Sequence, residues 1–213
     1  MPRKKLQRFQ ELTELINVAE LSQLDARKKL KNFLKGAKPI LELACGKGEY
    51  TIALAEKYPN KKIIGIDIQG ERIWYGAKQA LDKKLTNIFF LRIQIEDLPR
   101  YFTNNSISEI WITFPDPFPR KKQIKKRLTA PRFLQTYKDL LITNGYINLK
   151  TDDDKLFDYS VESAETLGAN ITTYIKDVHN QNNIPDLLDI RTYYEKMHLE
   201  AGKTINYLKF SFD

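Results

Sequence analysis

The chain predicts an α/β fold, a mostly parallel sheet with helices on both faces and an antiparallel edge. Two patterns predict it. Five short β-rich runs alternate with helical segments between residues 39 and 167, and that alternation calls for βαβ units on a parallel sheet. Two later strand-like runs, 171–178 and 204–212, have no long helix between them. Without a crossover they pair antiparallel. The 213 residues, 42% of them hydrophobic, suffice for one domain with a sizeable core.

In chain order, residues 1–35 form a basic helical arm. Leu12, Leu15, Ile16, Ala19 and Leu21 recur near helical spacing, and Arg27, Lys28, Lys29 and Lys31 crowd a later turn. Residues 36–213 form the main domain. Its strands are expected at 39–43, 62–68, 87–95, 108–114 and 145–151, each rich in β-branched or aromatic residues. Helical patterns lie between them at about 49–57, 70–83, 129–142 and 153–167. The polar stretch 180–185 reads as a loop before the last strand.

Net charge is +8 and the pI about 9.3, which points to a polyanionic partner. The single Cys45 excludes an internal disulfide, and with only two histidines a metal centre is not expected. Met1-Pro2-Arg3-Lys4-Lys5 is basic, but no apolar h-region follows. No apolar run approaches the ~18 residues of a membrane span. The expected location is cytoplasmic, with no membrane contact and no obligatory protein partner.

Two loops carry the chemistry. After the first strand comes Glu42-Leu43-Ala44-Cys45-Gly46-Lys47-Gly48-Glu49, and glycines at a strand-to-helix turn let backbone approach a ligand closely. Asp67 ends the second strand 21 residues after Gly46, at the spacing of a carboxylate that accepts ribose hydroxyls. A dinucleotide fingerprint would need glycine where Ala44 and Glu49 stand. The flanking carboxylates Glu42 and Glu49 disfavour a pyrophosphate and suit a cationic adenosyl cofactor. The second loop is Phe114-Pro115-Asp116-Pro117-Phe118-Pro119-Arg120, directly after an apolar strand. Its prolines remove three donors and fix φ, so Asp116 sits on a stiff loop at a strand's C-terminal edge. Six of the eight residues Arg120 to Arg127 are Lys or Arg, a cationic field suited to nucleic acid.

Together with Lys125-Lys126-Arg127, Lys150-Thr151-Asp152 and Thr192-Tyr193-Tyr194-Glu195, these residues resemble the tRNA (guanine-N7-)-methyltransferase family, bacterial single-chain type. The resemblance runs from about residue 39 to the C-terminus. It implies a seven-stranded Rossmann-like class I methyltransferase fold, S-adenosylmethionine as methyl donor, and a guanosine in the variable loop of tRNA as substrate. By the same resemblance Glu42, Asp67, Gln94 and Asp116 match cofactor-binding positions, joined by the loop glycines Gly46 and Gly48. Arg120, Asp152, Thr192, Tyr193, Tyr194 and Glu195 match substrate-binding positions. Departures are Gln94 for Asp, Phe118 for Trp, Arg120 for Lys, Gln123 for His, and Ala44 for the first loop glycine.

The chemistry fits that residue set. Guanine N7 carries an available lone pair, so no nucleophilic cysteine or strong base is required. Catalysis is then mainly positioning, with carboxylates stabilising the cationic base as it forms. Asp116 is the expected catalytic group, with Asp152 as a second carboxylate unless it merely caps the following helix. Cys45 is expected to be a packing residue, His179 and His198 to be without catalytic duty, and Trp74 and Trp111 to be core. Two other functions remain compatible: a methyltransferase for another RNA base, and a non-catalytic RNA-binding protein on the same fold.

Overall fold

This computed structural model describes residues 2–20 and 25–212, which leaves Leu21 of the expected arm outside the described residues. The chain divides into two compact units, residues 1–101 and 102–213.

The first unit holds four parallel strands: β1 (Val18–Glu20), β2 (Ile40–Leu43), β3 (Ile63–Asp67) and β4 (Ile88–Arg92). Their order is β1-β4-β3-β2. Strands β2, β3 and β4 are buried almost throughout, which is why they read as near-continuous apolar runs and not as alternating ones. Four helices accompany them: α1 (Pro2–Glu14), α2 (Ala26–Leu34), α3 (Glu49–Lys57) and α4 (Gly70–Asp82).

Strand β1 was not expected. Ile16 and Ala19 continue the helical spacing of α1, yet the backbone turns extended and Val18–Glu20 pair with Phe90–Arg92. Asn17 secures the change: its carbonyl accepts from the Phe90 amide at 2.8 Å and its Nδ2 donates to the Ala77 carbonyl at 3.0 Å. Three residues are too few to show a period of two, so nothing local announces the strand. The arm packs on α4, where Arg8 pairs with Glu71 at 2.5 Å and Trp74 donates to Glu11 at 2.9 Å. Trp74 is therefore half-buried at a helix contact, not a core residue.

The second unit pairs β5 (Ile107–Thr113) parallel to β6 (Leu141–Thr151). Strand β8 (Asn206–Ser211) lies antiparallel between β6 and β7 (Asn170–Ile175), giving the expected antiparallel edge. Edge strand β7 alternates exposed and half-buried residues, as a one-sided strand should. Helices α5 (Pro131–Leu140), α6 (Asp154–Thr166) and α7 (Tyr193–Glu200) complete it. Trp111 is core, 1% exposed. The described residues thus hold eight strands against the seven expected, the addition being β1.

Candidate active site

In the first unit, β2, β3 and β4 are adjacent and parallel, so Glu42, the glycine loop, Asp67 and Gln94 gather at one C-terminal edge. Asp67 ties this edge together. Its Oδ2 accepts from the Gly46 amide and its Oδ1 from the Gln69 amide, both at 2.8 Å. Each carboxylate oxygen has two acceptor directions, so ribose hydroxyls can still be received. Glu42 is buried and accepts from the Thr51 hydroxyl. Gln94 is exposed immediately beyond β4, and its carbonyl accepts from the Asp97 amide at 3.0 Å.

Tight packing explains the glycines. Gly48 has φ of 70°, and a Cβ there would lie 2.6 Å from the Phe90 ring. At Gly76 a Cβ would come 2.5 Å from the Lys47 carbonyl, so α4 can approach the loop only without a side chain. Ala44 adopts φ of 57°, left-handed backbone that an L-residue with a Cβ enters at a cost of about 1–2 kcal/mol. Glycine would be relaxed there, and the departure from the family pattern is thus a strained one. Burial pushes the Cys45 thiol well above its ordinary pKa, and the Glu42 and Asp67 carboxylates push the same way. The thiol stays protonated and poorly nucleophilic, in keeping with a packing role. The edge offers carboxylates and backbone amides, a donor set that fits S-adenosylmethionine, which carries cationic sulfonium and amine groups, ribose hydroxyls and no phosphate.

In the second unit, Thr113 stands beside Lys150, and the Phe114 amide donates to the Lys150 carbonyl at 2.8 Å. The proline loop and Thr151-Asp152-Asp153 therefore leave the sheet at one edge. Phe114 and Phe118 both hold positive φ, 49° and 42°, uncommon for aromatic residues and typical of strain kept at functional sites. Asp116 is exposed between them. Arg120, Lys121, Lys122, Lys125 and Lys126 are exposed around a 3-10 helix (Lys121–Lys126), whereas Arg127 is buried.

The three aspartates after β6 have separate duties. Asp153 caps α6, accepting from the Leu156 amide at 2.7 Å, and Asp154 accepts from Asn206 at 2.7 Å. Asp152 is left for Lys203 at 2.5 Å and His198 at 3.3 Å. His198 also stacks on Phe114, with ring centroids 5.9 Å apart. It thus joins Asp152 to the start of the proline loop, a link with no counterpart in the sequence reading.

Thr192 to Glu195 split by position. Thr192 caps α7, accepting from the Glu195 amide at 3.3 Å. Glu195 is fully buried and meets Lys150 Nζ at 2.7 Å and His179 Nε2 at 2.8 Å. Lys150, equally buried, also donates to the carbonyls of Leu188 at 2.7 Å and Ile190 at 3.2 Å. Burial lowers the Lys150 pKa, against the opposing pull of Glu195. Tyr193 and Tyr194 are exposed, 57% and 47%. Sequence reasoning had singled out Asp152 and Glu195 but missed their partners Lys203, His198 and His179, which lie 16 to 51 residues away in the chain. Among the described residues no group of three or more His, Cys, Asp or Glu side chains is placed to hold a metal ion.

The fold and this acidic candidate edge fit a class I, S-adenosylmethionine-dependent methyltransferase. Solved structures agree on the fold: a 30S ribosomal A1408 methyltransferase from an uncultured bacterium superposes with TM-score 0.64 at 17% identity, over 92% of this chain and 98% of that one. A 16S rRNA (adenine(1408)-N(1))-methyltransferase from Catenulisporales acidiphilia gives 0.64 at 14% identity, over 90% and 93%. A family model described as "Putative methyltransferase" matches residues 36–208. The tRNA (guanine-N(7)-)-methyltransferase of Christiangramia forsetii is 42% identical over 98% of this chain and 97% of its own length. That of Cytophaga hutchinsonii is 38% identical over 100% and 99%. The chain belongs to the tRNA (guanine-N7-)-methyltransferase family.

Proposed function

We propose that this protein transfers a methyl group from S-adenosylmethionine to N7 of a guanosine in the variable loop of tRNA. The observation that carries this reading is the strained proline loop, which presents an exposed Asp116 beside five exposed cations. Near-full-length similarity to enzymes named tRNA (guanine-N(7)-)-methyltransferase supports the N7 chemistry on tRNA. S-adenosylmethionine, when bound, supplies an electrophilic methyl group on a cationic sulfur. Asp67 receives the ribose hydroxyls, Glu42 and the Gly46–Gly48 backbone shape the pocket for the cationic portion, and Gln94 meets the adenine. Asp116, which matches a cofactor-binding position of the family, acts on the base: its charge favours the cationic guanine that forms as N7 is alkylated, and so the transition state over the ground state. No proton is removed from N7, consistent with a protonated Cys45.

Arg120 and its exposed neighbours hold RNA phosphates, and Tyr193 and Tyr194 offer faces on which unstacked bases pile. Asp152, held by Lys203 and His198, accepts from the guanine edge. Thr192 and Glu195 serve the same substrate by building the start of α7. An RNA substrate fits a cytoplasmic protein. The test is to incubate the protein with unmodified tRNA and methyl-labelled S-adenosylmethionine, then digest and map the label. 7-Methylguanosine in the variable loop is expected. Label on another base, or none, overturns the assignment.

A further inference from the structure

Six cations follow the proline loop, but one of them behaves unlike the rest. Arg127 is 7% exposed, whereas Arg120, Lys121, Lys122, Lys125 and Lys126 face outward. Its Nε donates to the Pro117 carbonyl at 2.9 Å and its Nη2 to the Phe118 carbonyl at 3.3 Å. The guanidinium carbon lies 4.5 Å from the centroid of the Tyr159 ring on α6. The proline loop has reason to need this. Pro115, Pro117 and Pro119 have no N–H, so the loop has few backbone donors with which to brace itself, and Phe118 sits at φ of 42°. A strained conformation persists only when its surroundings over-determine it.

We infer that Arg127 is a positioning residue: its guanidinium, braced on Tyr159, clamps the Pro117 and Phe118 carbonyls and so places the Asp116 carboxylate, and it is not a phosphate contact. A planar fork with several fixed donors suits two adjacent carbonyls in a way an ammonium does not. The consequence for catalysis rests on the proposed methyl transfer; the clamp itself does not.

The test compares Arg127→Met, Arg127→Lys and Tyr159→Leu with Lys126→Met as the phosphate-contact reference. Arg127→Met should lower kcat at saturating tRNA roughly a hundredfold, since a misplacement of about 1 Å is that costly. Arg127→Lys should recover only part of the loss. Tyr159→Leu, which keeps every charge and falls on a half-buried helix position, should lower kcat about three- to tenfold. None of the three should change the salt dependence of tRNA binding, whereas Lys126→Met should reduce its slope by about 0.7–0.9. Initial tryptic cleavage at Arg120 to Lys126 should be faster in Arg127→Met and Tyr159→Leu, a readout that needs no activity. If Arg127→Met instead keeps wild-type kcat and loses slope as Lys126→Met does, Arg127 is a phosphate ligand and the inference fails. If cleavage is unchanged in both variants, the clamp does not exist. A wild-type protein that is inactive on tRNA but shows the faster cleavage in both variants would overturn the proposed function while leaving the clamp standing.

Discussion

Asp67 shows how much one carboxylate does at the cofactor edge. Its position, ending a strand 21 residues beyond Gly46, makes it the proposed ribose acceptor, and the structure shows it holding the loop as well. Both oxygens receive backbone amides, one from the glycine loop and one from the start of α4. Charge-assisted hydrogen bonds contribute about 1.5–3 kcal/mol each. Asp67→Ala should therefore weaken S-adenosylmethionine binding by roughly ten- to a hundredfold, measured by calorimetry, since each factor of ten is about 1.4 kcal/mol. An unchanged dissociation constant would place the cofactor elsewhere. Arg127 makes the complementary point: it ends a run of exposed cations, and neither its charge nor its spacing sets it apart. Its burial, the carbonyls of Pro117 and Phe118, 9 to 10 residues back, and the Tyr159 ring distinguish it.

Helix α7 and the segment before it depend on a single buried cation. Thr192 and Glu195 have the spacing of a capping box, and half of that box forms: the Thr192 hydroxyl accepts from the Glu195 amide. The Glu195 carboxylate turns instead to Lys150 and His179. Lys150 in turn holds the carbonyls of Leu188 and Ile190, joining β6 to the polar stretch that leads into α7. Removing one partner of a buried ion pair typically costs about 3–5 kcal/mol because a charge is left uncompensated. Lys150→Met should lower stability by about 3 kcal/mol, near the lower end of that range because His179 still contacts Glu195. Adding Glu195→Gln should recover part of it. Urea denaturation of the single and double variants measures this, and additive losses would show that the pair is not coupled. The eight-residue α7 itself was hard to foresee, since Glu195 is its one buried residue and no apolar stripe marks it.

For the molecule as a whole, the net charge of +8 has a physical address in the exposed cluster at 120–126. Counterion release gives a salt slope of about 0.7–0.9 for each phosphate contact. Lys121→Ala/Lys125→Ala/Lys126→Ala should flatten the salt dependence of tRNA binding by about two to three units in filter-binding titrations, with S-adenosylmethionine affinity unaltered. An unchanged slope would move the RNA grip to another surface. The N-terminal arm is less free for that purpose than its composition implied, because Arg8 is paired with Glu71 and cation-π stacked on Trp74 and Tyr75.

The alternation of strands and helices from residue 40 to 166, the parallel sheet, the antiparallel edge and the two candidate loops were legible in the chain, because each rests on short-range signals: apolar periodicity, glycines at a turn, prolines ending a strand. The family match likewise rests on contiguous motifs. Tertiary structure decided the rest. It turned residues 18–20 into a strand through pairing with β4, chose Asp153 over Asp152 as the α6 cap, and buried Glu195 while leaving Tyr193 and Tyr194 outside. It also withdrew Arg127 from the basic surface. For Asp152, Glu195 and Val18–Glu20 the deciding partners lie far away in sequence, because whether a charge is buried or exposed depends on which distant groups can compensate its lost hydration.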